Sequence, residues 1–84
     1  MWTKHALAEA TEDGFKVKEI EGNLSFVAEF PEFDGERKRG VLKVGSRHCT
    51  LIYATKGERM TIITCWESNH TDIAEFERDA RRRA

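Results

Sequence analysis

RHCTLIYATKGERMTIITCWE, Arg47 to Glu67, is the stretch whose reading decides the fold. Thr50, Leu51, Ile52 and Tyr53 lie on one side of Lys56-Gly57, and Met60 to Thr64 lie on the other. Both runs are rich in β-branched and aromatic residues, and Lys-Gly-Glu between them supplies a turn, so the stretch reads as a β-hairpin. Its apolar residues are nearly continuous instead of strictly alternating, which predicts strands covered on both faces at least in part. This hairpin is the expected centre of a small antiparallel sheet.

Working outward, Arg37 to Val44 reads as the strand before it, and Gly45-Ser46 as the turn that joins them. The Gly40-Val41 step is where a bulge would fit. Further back, Leu24, Phe26, Ala28 and Phe30 alternate with Ser25, Val27 and Glu29, which predicts a strand over Leu24 to Phe30. Pro31 to Glu36 is the expected loop, with Asp34-Gly35 its strongest turn signal. Two short helices are predicted ahead of these strands. Thr3 to Asp13 has Thr3 as N-cap, an apolar stripe of Ala6, Leu7 and Ala10, and Gly14 as C-cap. Lys16 to Asn23 follows, anchored by Phe15, with Val17, Ile20 and Leu24 at helical spacing. After Glu67, Asn69 or Thr71 caps a last helix through Arg83, whose apolar side is Ile73, Phe76 and Ala80. The resulting fold class is α+β: two short N-terminal helices, a four-stranded antiparallel sheet and a C-terminal helix in a single domain, 1–84.

The totals agree with one small domain. The chain has 84 residues, 39% apolar and 35% charged, with 14 basic and 15 acidic side chains for a formal charge of −1. So short a chain buries only about 60–65% of its unfolded surface. That leaves room for helices on one face of the sheet, and the other face is expected to be partly open or paired with a partner. A nucleic-acid binder usually shows a basic excess, so the balance argues mildly against that class. Even so, Arg37, Lys38, Arg39, Lys43 and Arg47 gather mid-chain, and a local basic face on a neutral protein is compatible with the sequence. Two cysteines with no CxxC spacing and no signal peptide point to the cytoplasm, and no apolar run approaches a membrane span.

Cys49 and Cys65 fall on adjacent strands. A three-residue turn at Lys56–Glu58 would set them opposite each other, whereas a two- or four-residue turn would set Cys49 against Thr64. His48 and His70 could complete a zinc site with them, but no close-spaced ligand pair is present, and two buried structural thiols are the preferred reading.

HALAEATEDGFKVKEIEGNL, from His5 to Leu24, and VGSRHCTLIYATKGERMTIITCWE, from Val44 to Glu67, resemble the small family catalogued as domain of unknown function 4258. Its members open with a His-Ala pair on the first helix, then a glycine, a second helix and a four-stranded sheet. The resemblance implies a fold related to RelE-like and BrnT-like toxins, many of them metal-independent ribonucleases. By position, it assigns His5 to the family histidine, Arg47 to the arginine opening the third strand, and Trp66 to the aromatic ending the fourth. It also marks a departure: Glu9 and Asp13 stand where family members often carry arginine.

Metal-independent RNA cleavage needs a base, an acid and a cation at the phosphate. The expected catalytic residues are therefore His5 and Arg47. Arg39 and Lys43 would hold RNA phosphates, and Trp66 would stack a base. No cofactor or metal is called for. The expected partners are RNA and a cognate antitoxin or other protein, with no membrane, and a homodimer is a further option. The alternative is a non-catalytic relative that acts as a protein-interaction module through an open sheet face.

Overall fold

In a computed structural model the protein is described at residues 1–31 and 36–83, the side chain of Arg83 excepted. Glu32 to Gly35, with the Asp34-Gly35 turn, lie outside the described residues. The order is α1 (Lys4–Glu12), α2 (Val17–Asn23), a 3₁₀ turn (Leu24–Phe26), β1 (Ala28–Pro31), β2 (Arg37–Val44), β3 (Arg47–Lys56), β4 (Arg59–Glu67) and α3 (His70–Arg83). The strands form one antiparallel meander, β1-β2-β3-β4. The α+β architecture is the expected one.

Both long hairpins turn on two residues, Gly45-Ser46 and Gly57-Glu58, since Val44 pairs with Arg47 and Lys56 with Arg59. Gly45 and Gly57 take φ of 65° and 62° at the first turn position, the place where a type II′ turn requires positive φ. The pairing then steps between Ile52 and Tyr53, which face Thr64 and Ile62 and leave Ile63 as the extra residue. The bulge therefore sits in β4 and not at Gly40. Gly40 answers a different constraint: a Cβ there would lie 2.6 Å from Val27 Cγ2 and 2.8 Å from Tyr53 Cε1. The two-residue turn and the bulge together place Cys49 opposite Glu67 and Cys65 opposite Leu51. Neither pairing considered from the sequence occurs.

One sheet face, the front, carries the core. Leu42, Val44, Cys49, Leu51, Tyr53, Ile62 and Cys65 pack there against Ala6 and Ala10 of α1, Phe15, and Ile20 of α2. The small Ala6 and Ala10 let α1 approach closely, so the Cys65 thiol lies 3.5 Å from the Ala6 carbonyl. Thr3 caps α1 by accepting from the Ala6 N–H at 3.1 Å. The predicted first strand is corrected at its start. Leu24 to Phe26 continue from α2 as a tighter helical turn, closed by Val27 N–H donating to Leu24 at 3.2 Å. Phe26 is exposed, so its place in the alternation marks no core position. Pro31, expected in the loop, ends β1 opposite Lys38, and an edge strand tolerates the missing N–H.

Chain length predicted helices on one face only, but helix α3 crosses the back face too, lying mainly over β2 and β1, so that face is partly covered and partly open. Asn69, one of the two expected caps, accepts from the Asp72 N–H at 2.9 Å. Because α3 sits over β2 and β1, the β3–β4 half of this face keeps Ile52, Ala54, Thr61 and Thr64 half-buried instead of buried. No helix among the described residues is long and apolar enough to cross a membrane.

Candidate functional site

The edge of β4 explains much of what α1 does. The chain pairs with this edge at Trp2, in a parallel bridge to Ile62. Met1 N donates to Met60 O at 2.8 Å, Ile62 N to Met1 O at 2.8 Å and Thr3 N to Ile62 O at 3.0 Å. The Thr3 hydroxyl reaches Ile63 O at 3.0 Å. From there α1 continues the closure with carboxylates. Glu9 accepts from Cys65 N and Asp13 from Glu67 N, both at 3.3 Å. These are the two acids that stand where the resemblance leads one to expect arginines, and their place against backbone donors gives them a structural role. An edge strand with unpaired groups invites association, and here side chains satisfy them.

His5 lies on the first turn of α1 with a side chain 71% exposed, and its Nε2 is 3.1 Å from Glu9 Oε1. The same Glu9 oxygen accepts from the Thr64 hydroxyl. Arg47 sits at the other end of α1. Its guanidinium stacks 4.0 Å over the Phe15 ring, donates to the Gly14 carbonyl at 3.3 Å and to the Asp13 carbonyl, and pairs with Glu67 at 3.1 Å. Gly14 (φ 75°) turns the chain so that these carbonyls face Arg47. The hydrogen bond from Arg47 holds the Glu67 carboxyl below its ordinary range, and Glu67 in turn raises Arg47. Eight residues of helical rise, about 12 Å, separate His5 from the Asp13 carbonyl that Arg47 holds. The structure does not bring His5 and Arg47 together.

The remaining expected residues lie on the back face. Arg39 donates to Asp72 at 2.9 Å and to Glu75 at 2.7 Å, with its guanidinium 4.9 Å over the Phe30 ring. Trp66 Nε1 donates to Asp72 Oδ2 at 3.2 Å, and the Thr50 hydroxyl donates to the same oxygen at 2.9 Å. Thr50 also shares a 2.7 Å hydrogen bond with Ser68. Lys43 is exposed opposite His48, whose ring meets Phe76 edge-on at 5.2 Å. Arg39 and Trp66 are thus joined through Asp72, while Arg47 lies on the front. Trp66 and Arg47, expected to flank one site across the two strands, point to opposite faces.

Asp72, Glu75, Thr50 and Ser68 are the members of this network that sequence reasoning passed over. The available signal was an acid beside the apolar side of α3 at the spacing of an Asn69 cap. No buried side-chain nitrogen or oxygen among the described residues lacks a partner. Cys49 and Cys65 are free buried thiols, and no group of His, Cys, Asp or Glu among the described residues could hold a metal ion. The neighbouring Cys65 thiol, and after it burial, push the Cys49 thiol up. An open concavity of about 980 Å³ lies at the far hairpin end, with Lys38, Lys56, Arg59 and Met60 in its lining, and none of the expected site residues reaches it.

No protein-family model, curated protein or solved structure matches this chain.

Proposed function

We propose that this protein is a non-catalytic interaction module that docks a polypeptide on the β3–β4 half of its back face. The observation that carries the reading is the unequal cover of that face. Helix α3 closes the β1–β2 half through the Asp72 network and leaves Ile52, Ala54, Thr61 and Thr64 only half-buried. A sheet face with a partly covered strip of aliphatic and threonine side chains is a surface that a partner completes. The dispersal of the expected site supports the same reading, since the catalytic candidates His5 and Arg47 and the RNA-binding candidate Arg39 each serve a different structural contact.

The competing reading is a toxin-like, metal-independent ribonuclease. It is favoured by one feature, the exposed His5 imidazole beside Glu9. Two measurements separate the readings. RNA incubated with purified protein and chelator is expected to stay intact, and cleavage abolished by His5→Ala would overturn the module. Peptides selected by display on the folded protein are expected to lose binding to Ile52→Asp and to retain it with His5→Ala.

A further inference from the structure

Resting on the docking reading, we infer that the polypeptide bound at the β3–β4 half of the back face is acidic. Strand register fixes which side chains share that face, because alternate residues point the same way and paired residues point together. Arg39, Thr50 and Trp66 reach α3 and so mark the back. Counting outward from them along the pairs, the back-face cations are Arg37, Arg39, Lys43, Lys56 and Arg59. No strand position on this face among the described residues is a carboxylate, although the chain as a whole has a formal charge of −1. Helices bring acids to this face, with Asp72 and Glu75 on Arg39 and Glu9 on Thr64.

Helix α3 therefore already gives part of this face what its charge calls for. It brings acids to Arg39 and an aromatic ring to His48, and it ends its main contacts at β2. Beyond it, the half-buried strip of Ile52, Ala54 and Thr61 runs toward Lys56 and Arg59, both exposed. Arg37 lies opposite Ala54, and Lys56 opposite Arg59. Two exposed acids, Glu36 and Glu58, line the same open concavity as Ala54, Lys56, Arg59 and Thr61, beside a third cation, Lys38. An incoming segment with apolar anchors over Ile52 and carboxylates about 13 Å away, at Lys56 and Arg59, matches both parts of the strip. A single-stranded nucleic acid matches less well, because it needs open ring faces on which bases stack. The two aromatics of this face near the strip are engaged: Phe30 lies under Arg39, and the Trp66 indole is tied to Asp72.

The test uses the full chain and fluorescence anisotropy with short labelled peptides that share the same leucines and carry Glu, Lys or Ser elsewhere, beside a labelled oligouridine. The Glu peptide is expected to bind at least about tenfold tighter than the Lys peptide, and to weaken as salt rises from ~0.05 to ~0.3 M. Lys56→Glu with Arg59→Glu, folded by circular dichroism, is expected to reverse the ranking. Equal binding of all three peptides, lost on Ile52→Asp, overturns the acidic partner and leaves the docking reading standing. Binding of oligouridine alone, or of no probe, overturns both.

Discussion

Arg39 and Asp72 meet at 2.9 Å between the sheet and α3, with side chains 19% and 8% exposed. This contact ties the helix to the face where Val41 and Ala28 are buried. Asp72 takes hydrogen bonds from three different strands, through Arg39 of β2, Thr50 of β3 and Trp66 of β4. Removing Asp72 leaves Arg39 with Glu75 alone and strips the Thr50 hydroxyl and the Trp66 indole of their shared acceptor. Asp72→Ala is therefore expected to destabilise the fold by about 3 kcal/mol, as read by urea denaturation. Asp72→Asn, which keeps an acceptor for Thr50 and Trp66, is expected to lose less.

Gly40→Ala places a methyl group on Val27 and the Tyr53 ring, both closer than a Cβ normally approaches. Tyr53 is fully buried and cannot swing away freely. A loss of about 1–3 kcal/mol is expected. Gly22→Ala, where nothing lies within 4 Å, serves as the control in the same denaturation series.

The Glu9 and Asp13 carboxylates make a local prediction that global stability would miss. In Glu9→Ala the Cys65 amide loses its acceptor, and in Asp13→Ala the Glu67 amide does. Hydrogen exchange should quicken at the matching amide in each variant and stay slow at the other. Equal acceleration at both amides would mean that α1 leaves the edge as a unit.

Two groups set the pH dependence at opposite ends of the scale. Burial and the hydrogen bond to Glu29 raise the Tyr53 phenol above its ordinary value of 10.0. A raised acid stabilises the fold while protonated, so this contribution is present at neutral pH and is lost as pH climbs past about 10. Tyr53→Phe should flatten that alkaline fall in melting temperature. Glu67 is lowered by Arg47, so its contribution is present above the ordinary carboxylate range and is lost as pH falls through the depressed value. The gap in melting temperature between wild type and Glu67→Gln should close on acidification.

Cys49 and Cys65 have no exposed surface. A thiol that reagent cannot meet reacts only through opening of the structure. Ellman's reagent is expected to label neither in the native protein and both in urea. Fast labelling of either in buffer would contradict their burial.

Element order and sheet pairing were legible because both depend on local signals: the β-branched runs of β3 and β4, and glycines at the two hairpin turns. The Leu24–Phe26 turn was misread because alternation over three residues also fits a helical turn whose Phe26 faces solvent. The bulge at Ile63 left no mark, since an apolar residue is acceptable on either face of a covered strand. The candidate residues were harder still. Arg47 and Arg39 look alike as strand arginines, and only the tertiary fold decides that one clasps the Asp13-Gly14 corner and the other anchors α3. Burial of Asp72 was invisible because an acid in the first turn of a helix already has a local explanation in the helix dipole.

The closure of the β4 edge sets a limit on how this protein can polymerise. A stack of chains joined strand to strand needs two reactive margins on every copy, one to receive and one to donate. Here the N-terminal residues and the α1 carboxylates occupy one margin with backbone and side-chain partners of their own. Any pairing along the remaining margin therefore terminates at two copies, and an endless ribbon is closed to the folded chain.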